Sequence, residues 1–395
     1  MNISFEKCNI CKSTNMIQIY ESENSKSLTT MNELIDGKTK VFYCNSCTHL
    51  YTKPLINLNN FYKNEYEINI ASGIHDQLYD IEEDIKIYRN EHQAKVMNKL
   101  LNLKANMNIL DYGCGNALTL KHLNNINPEF NLFAYEVSTR YEKIWKNFSK
   151  NLNYSSIKIP KNWSKRMDLI SSFFTLEHVS NPANFITKVY PLLKEGGIFY
   201  CVVPNIYKNF ADLIVADHIN HFSKKSLKYL FKKNGFSKII VNEKEHNSAF
   251  IIYGVKNTSK RKELGRKKNF YITKGTMTNY KKVKLISKFW KKQENKINQF
   301  EKNNSKCKNQ VIYGAGIYGN FIFKSLKNPN NIRCFLDRNS FLNGNSFNGC
   351  EVKSLENLDS KSKYTFWLGI NPQSSNSVKI ELVNKFSPKN VFEYN

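Results

Sequence analysis

Long apolar runs are missing from this 395-residue sequence. No stretch of roughly 18 or more uncharged apolar residues occurs, and the Met1 end has no apolar run of secretory-leader length. A soluble cytoplasmic protein without membrane insertion is therefore the expectation. Acidic residues are scarce beside basic ones: 33 Asp and Glu against 59 Lys and Arg, a formal net charge of +26. That excess calls for anionic partners, whether nucleic acid, a membrane surface or phosphorylated small molecules. It is concentrated, since 18 Lys or Arg and three acids, Glu263, Glu294 and Glu301, lie between Lys256 and Lys308. Internal repeats and long low-complexity tracts are also absent, which sets repeat architectures aside. Cysteine is present, nine in all, but without the pattern of a secreted disulfide framework: four form two Cys-x-x-Cys pairs and five are scattered singly. The distribution favours metal binding in a reducing compartment.

A chain of this length is expected to build two or three cores. Residues 1–60 hold the paired cysteines in short strand-like pieces, and 61–93 read as a polar connector rich in Tyr, Asp and Glu. From 94 to 255 helical patterns alternate with the apolar runs MNILDYG, NLFAYEV, MDLISSFF and GIFYCVVPN, which predicts a parallel sheet covered by helices. Residues 256–308 are the basic span. Within it Val283, Ile286, Phe289, Trp290, Ile297 and Phe300 recur at helical spacing, the mark of a helix packed by one face. Residues 309–395 repeat the strand and helix alternation in QVIYGAG, YGNFIFKSL, RCFLD and YTFWLGI.

Cys8 and Cys11 make one knuckle and Cys44 and Cys47 another, with 32 residues between the pairs. Four thiolates complete a tetrahedral zinc shell and leave no position for water, so the expected ion is structural Zn2+. His49 is a candidate substitute ligand, read first as an ordinary polar residue.

Asn108 to Gly115, NILDYGCG, is an apolar strand ending in an acid and a glycine-rich turn, followed by the helix-like ALTLKHL. Glycines there let the backbone approach a ligand, and the Asp111 carboxylate suits a cationic amine. A second strand ends at Glu136, 25 residues beyond Asp111, where a carboxylate can accept both hydroxyls of a ribose. A dinucleotide-binding protein has a similar turn, and this one departs from G-x-G-x-x-G by carrying Ala117. Downstream lie LISSFFTLEHVSNP and LLKEGGIFYCVVPN. With these the sequence resembles class I S-adenosylmethionine-dependent methyltransferases. The resemblance implies that Asp111, Gly113, Gly115 and Glu136 bind that cofactor.

The full order, a four-Cys module, a methyltransferase core and a second Rossmann-like domain, resembles the sugar C-methyltransferases acting on nucleotide-linked 4-keto-deoxysugars. The likeness spans nearly the whole chain and implies an α/β fold of those three parts. In that family a histidine base lies in a Tyr-His-Glu-His-Leu-Ser-Tyr-Phe-Ser-like segment, matched here by Val215-Ala216-Asp217-His218-Ile219-Asn220-His221-Phe222-Ser223. The match implies His218 as the base, Asp217 as its acidic neighbour, His221 as a further candidate and His178 as a second histidine facing the substrate. Val215 and His221 stand where the family has tyrosines. Tyr66 lies where the family has a Tyr-x-Tyr segment, with Ile68 replacing the second tyrosine. An imidazole suits removal of a proton beside a ketone, though methylating a hydroxyl also needs a base.

The C-terminal GAGIYG contributes Gly314, Gly316 and Gly319 and precedes Asp337 by about the interval of a dinucleotide fingerprint. Locally it is a respectable NAD site; the resemblance implies that it anchors the nucleotide-sugar instead. Three alternatives remain: a sugar O-methyltransferase, an RNA methyltransferase gripping phosphates with the basic span, and a non-enzymatic cofactor-binding interaction protein. No RNA-binding module is recognisable, so nucleic acid is not the expected partner. The oligomeric state is not readable from the sequence.

Overall fold

The computed structural model describes residues 7–56, 76–82, 85–148, 152–259, 276–359 and 361–395. Among the described residues no helix is long and apolar enough to cross a membrane.

The N-terminal module is built on strands β1 (Met16–Glu21), β2 (Lys40–Cys44) and β3 (Leu50–Thr52), antiparallel in that order. A small hairpin, Lys26–Leu28 with Leu34–Asp36, stands beside them.

The central layer comprises strands β4 (Asn108–Tyr112), β5 (Asn131–Glu136), β6 (Asn153–Ser156), β7 (Met167–Phe173) and β8 (Leu193–Pro204), then β9 (Asn220–His221), β10 (Phe236–Asn242) and β11 (Ala249–Lys256). Seven of these form one sheet in the order β6-β5-β4-β7-β8-β11-β10. The first five strands run parallel and the last two antiparallel. Ile109, Leu110, Leu169 and Ile170 are fully buried, as both faces of a helix-covered parallel sheet require. Helices α1 (Arg89–Leu101), α2 (Leu118–Ile126), α3 (Pro182–Val189) and α4 (Lys224–Lys233) belong to this layer.

Strand β9 does not join that sheet. It pairs with β3 of the N-terminal module, Asn220 opposite Tyr51 and His221 opposite Leu50, so the histidine-bearing segment completes the module's sheet. Ser223 then starts α4 through a capping box, its hydroxyl accepting from the Ser226 amide at 3.1 Å while Ser226 Oγ accepts from the Ser223 amide at 2.9 Å. The segment is therefore gripped at both ends.

Helix α5 (Thr276–Asn303) buries Val283, Ile286, Trp290 and Ile297 along one face. These pack in one cluster with Tyr43 of the module, Leu213 of the central layer and Phe321 of the C-terminal domain. Trp290 Nε1 donates to the Phe210 carbonyl at 2.8 Å, and Ser287 Oγ to the Ile19 carbonyl at 2.5 Å. The basic helix thus works as an internal brace, with its lysines on the outside.

The C-terminal domain has strands β12 (Gln310–Tyr313), β13 (Ile332–Leu336), β14 (Ser346–Phe347), β15 (Cys350–Lys353), β16 (Thr365–Leu368) and β17 (Asn390–Phe392) in the order β14-β15-β13-β12-β16-β17. All neighbours but β14 and β15 are parallel. Helix α6 (Ile317–Ser325) follows the glycine-rich turn. There Gly319 is obligatory, because a Cβ would lie 1.8 Å from the Gly314 carbonyl oxygen, whereas Gly316 faces open space. The architecture is α/β: a cysteine-bearing module, a Rossmann-like core and a second Rossmann-like domain.

Candidate active site

Asp111 closes β4 and is 3% exposed, its carboxylate accepting a hydrogen bond from Ser171 Oγ at 3.0 Å. Burial pushes its pKa up to about 7, opposed by Ser171 and reinforced by the nearby Glu136 carboxylate. The turn then bends sharply at Gly113, whose φ is +85° and whose absent Cβ would meet Thr175 Oγ1 at 2.6 Å. Glu136 at the end of β5 accepts from the Gly115 amide at 3.1 Å and the Val137 amide at 2.7 Å. Burial raises Glu136 despite those bonds. Two carboxylates held above their ordinary range are matched to a ligand that carries a cationic amine and two hydroxyls. The donor set therefore fits S-adenosylmethionine.

These residues share one cavity of about 830 Å³ with Glu177, His178 and His218, and Ile317 at the start of α6 closes part of its rim. The volume suits a cofactor together with a substrate.

His218 Nδ1 lies 2.5 Å from Asp212 Oδ1, and His221 Nδ1 lies 2.5 Å from Asp212 Oδ2. A carboxylate can only accept, so both rings donate through Nδ1, and Nε2 of His218 is the nitrogen left for other chemistry. Burial lowers the pKa of His218, but the Asp212 carboxylate more than offsets this and lifts it to about 9. Asp212 itself is held well below the carboxylate range by the two imidazoles, against its burial. His178 is driven the other way, to about 4, by burial and by the neighbouring His218, with Asp217 opposing. The two rings stand edge to face at 4.7 Å.

The partner of His218 is thus Asp212, not the adjacent Asp217. Asp217 turns to the module, accepting from the Thr30 amide at 2.8 Å and Thr30 Oγ1 at 2.6 Å, while its carbonyl meets His178 Nδ1 at 3.3 Å. His221 is fully buried and forms none of the cavity wall; its Nε2 lies 2.8 Å from Thr52 Oγ1. It stands behind Asp212, on the side away from the cavity that His218 lines. Tyr66 lies outside the described residues. Sequence reasoning also passed over Glu177, Asp212 and Ser171. Only Glu177 had a signal, its place beside His178.

Sγ atoms of Cys8 and Cys47, and of Cys11 and Cys44, are 3.5 Å apart, and all four lie within 4.8 Å of one another. A disulfide needs about 2.05 Å, so these are free thiols arranged around a common centre. Hydrogen bonding within the cluster pushes Cys8 and Cys47 up and draws Cys11 and Cys44 down. Number, element and spacing fit tetrahedral zinc. The knuckles are tied to the histidine segment by the Asn9–Asn220 and Thr48–Ser223 side-chain bonds, 2.5 and 2.6 Å.

Residues 86–240 match a family model described as a methyltransferase domain. That stretch of the chain is a methyltransferase domain. Among solved structures it is similar to the CurJ carbon methyltransferase, at 14% identity over 51% of this chain and 57% of that one, TM-score 0.37. It is also similar to human N-acetylserotonin methyltransferase in complex with S-adenosylmethionine, at 13% identity over 42% of this chain and 52% of that one, TM-score 0.37. The citrinin polyketide synthase CMeT domain shows 12% identity over 42% of this chain and 51% of that one, TM-score 0.36. A search of curated proteins returned no match.

Proposed function

We propose that this methyltransferase C-methylates a nucleotide-linked keto-deoxysugar, with His218 as the base. The observation that carries the reading is His218 itself: a half-buried imidazole oriented by Asp212, its Nε2 uncommitted among the described residues, on the wall of the cavity that holds Asp111 and Glu136. Bound S-adenosylmethionine would supply an electrophilic methyl on a sulfonium centre. Asp111 and Glu136 would hold its amine and ribose. His218 would take the proton from the carbon beside the keto group, and Asp212 would stabilise the imidazolium that results. His178, kept neutral by burial, would contact the sugar.

The C-terminal domain would anchor the nucleotide at the open Gly316. Cys8, Cys11, Cys44 and Cys47 would hold one structural zinc, which keeps the module rigid and with it β9.

Incubation with methyl-labelled cofactor and a panel of keto and non-keto sugar nucleotides tests the assignment. A new carbon-bound methyl on a keto sugar is the expected product. Equal activity on sugars without a keto group would favour O-methylation and remove the need for carbon acidity. Steeply salt-dependent RNA binding with methyl transfer to RNA would replace the substrate class altogether.

A further inference from the structure

Glu177 is fully buried, yet neither carboxyl oxygen has a hydrogen-bond partner among the described residues. It lies on the cavity wall, with a carboxyl oxygen within 4.8 Å of ring nitrogens of both His178 and His218. Its place is fixed through the backbone: the Glu177 carbonyl accepts from the Ile219 and Asn220 amides, each at 2.9 Å, and Asn220 Nδ2 reaches the Leu176 and Val179 carbonyls at 3.1 and 2.7 Å. An unpaired buried carboxyl costs several kcal/mol, roughly, and is retained where a ligand completes it. The cavity is the direction from which that ligand comes.

We propose that Glu177 is the acid that pairs with the His218 base, donating a hydrogen bond to the substrate's keto oxygen as the proton leaves the neighbouring carbon. The assignment rests on the C-methylation reading. As His218 Nε2 accepts the carbon-bound proton, the C–H electron pair moves into the carbonyl and its oxygen takes up negative charge, which the Glu177 proton meets. When the carbon forms its bond to the methyl, the electrons return, the carbonyl is restored and Glu177 keeps its proton. The net proton leaves on His218. No further co-reactant is needed.

Electrostatics agree with the geometry. Burial pushes Glu177 up to about 8; His218 and Arg89 oppose this and Asp212 reinforces it. The other titratable groups facing it are His178 and the buried Cys201 thiol. Because His218 titrates at about 9, the reactive pair of neutral His218 and protonated Glu177 is a minor form that is most populated between about pH 8 and 9.

The test is kcat and kcat/KM against pH for wild-type and Glu177→Gln enzyme, on a keto sugar nucleotide that the wild-type enzyme methylates, with cofactor affinity and the zinc content of the protein measured alongside. The wild-type profile should be bell-shaped, falling on the alkaline side as the acid ionises. E177Q should lose that alkaline fall and about 10²-fold in kcat, with KM and cofactor affinity within a fewfold of wild type. Near-normal kcat with the alkaline fall intact would overturn the role of Glu177 while leaving the C-methylation reading standing. A wild-type profile still flat well above pH 9 would overturn it without any variant. A divalent cation needed beyond the cysteine-held zinc, and no longer bound by E177Q, would also overturn it by making the carboxylate a ligand. Absence of methyl transfer by the wild-type enzyme to every keto sugar would instead remove the underlying reading.

Discussion

Replacing Asp212 by asparagine removes the negative charge that His218 and His221 share, with almost no change in shape. In the wild-type protein the ordinary histidine pKa of 6.5 is lifted to about 9 at His218 although burial pulls it down. That displacement is worth about 3 kcal/mol of preference for the imidazolium, most of it traceable to Asp212 at 2.5 Å. A neutral amide in its place cannot supply it, so His218 should fall to or below its ordinary value. Three consequences are measurable. The acid limb of kcat/KM, expected between about 8 and 9 in the wild type, should move below about 7. The rate at its optimum should drop roughly 10²-fold or more, since a weaker and less firmly oriented base removes the proton. Stability should fall by about 3 kcal/mol where the ion pair is fully formed. For His218, raised in the folded state, the stabilisation is complete below about 6.5 and lost as pH rises through about 9. For Asp212, depressed in the folded state, it is present above the ordinary carboxylate value of ~3.9 and lost as pH falls below that. Urea melts of the two proteins should therefore differ most between about pH 4.5 and 6.5 and converge toward pH 9 and above. A folded D212N protein with an unmoved acid limb would refute the reasoning and release His218 from the role of base.

Freshly purified protein should contain one zinc per chain, and Cys44→Ser should lose it and unfold the module. Because β9 completes the module's sheet, chelation should abolish methyl transfer at temperatures where circular dichroism still reports a folded core; metal-free protein with full activity would refute this. Glu136→Ala should weaken S-adenosylmethionine binding by roughly ten- to a hundredfold in calorimetry, the scale of lost hydrogen bonds to a charged group. Gly316→Val, whose side chain would occupy the open space over the glycine-rich turn, should raise KM for the sugar nucleotide and leave cofactor affinity unchanged. The opposite pairing would reverse the two site assignments, and tight NAD binding lost in the Gly316 variant would revive a dinucleotide site.

Much of the fold and the donor half of the site was readable because their signals are local. The strand ending in Asp111, the turn at Gly113 and the acid at Glu136 lie within 26 residues, and each carries its meaning in residue type and spacing. The four cysteines were readable for the same reason. For the histidine half, the resemblance carried His218 and His178 to the cavity wall but not the residue that orients His218. Asp217 is adjacent to His218 in sequence, but it sits in a turn and its carboxylate is taken by the Thr30 amide and hydroxyl. The orienting carboxylate instead comes from Asp212, on a short helical turn six residues upstream (Phe210–Ile214). The pairing of β9 with β3 joins residues about 170 apart, an association no local pattern announces. Nor does sequence reveal that Glu177 lacks a partner, since that is a property of everything packed around it.

The most direct measurement is carbon NMR of the product formed from a nucleotide-linked keto-deoxysugar and S-adenosylmethionine labelled with ¹³C at the methyl. The expected result is a labelled methyl coupled to a sugar carbon beside the keto group, formed by the wild-type enzyme and at least about 10²-fold more slowly by His218→Asn. A label found on oxygen, or on no sugar at all, would contradict it.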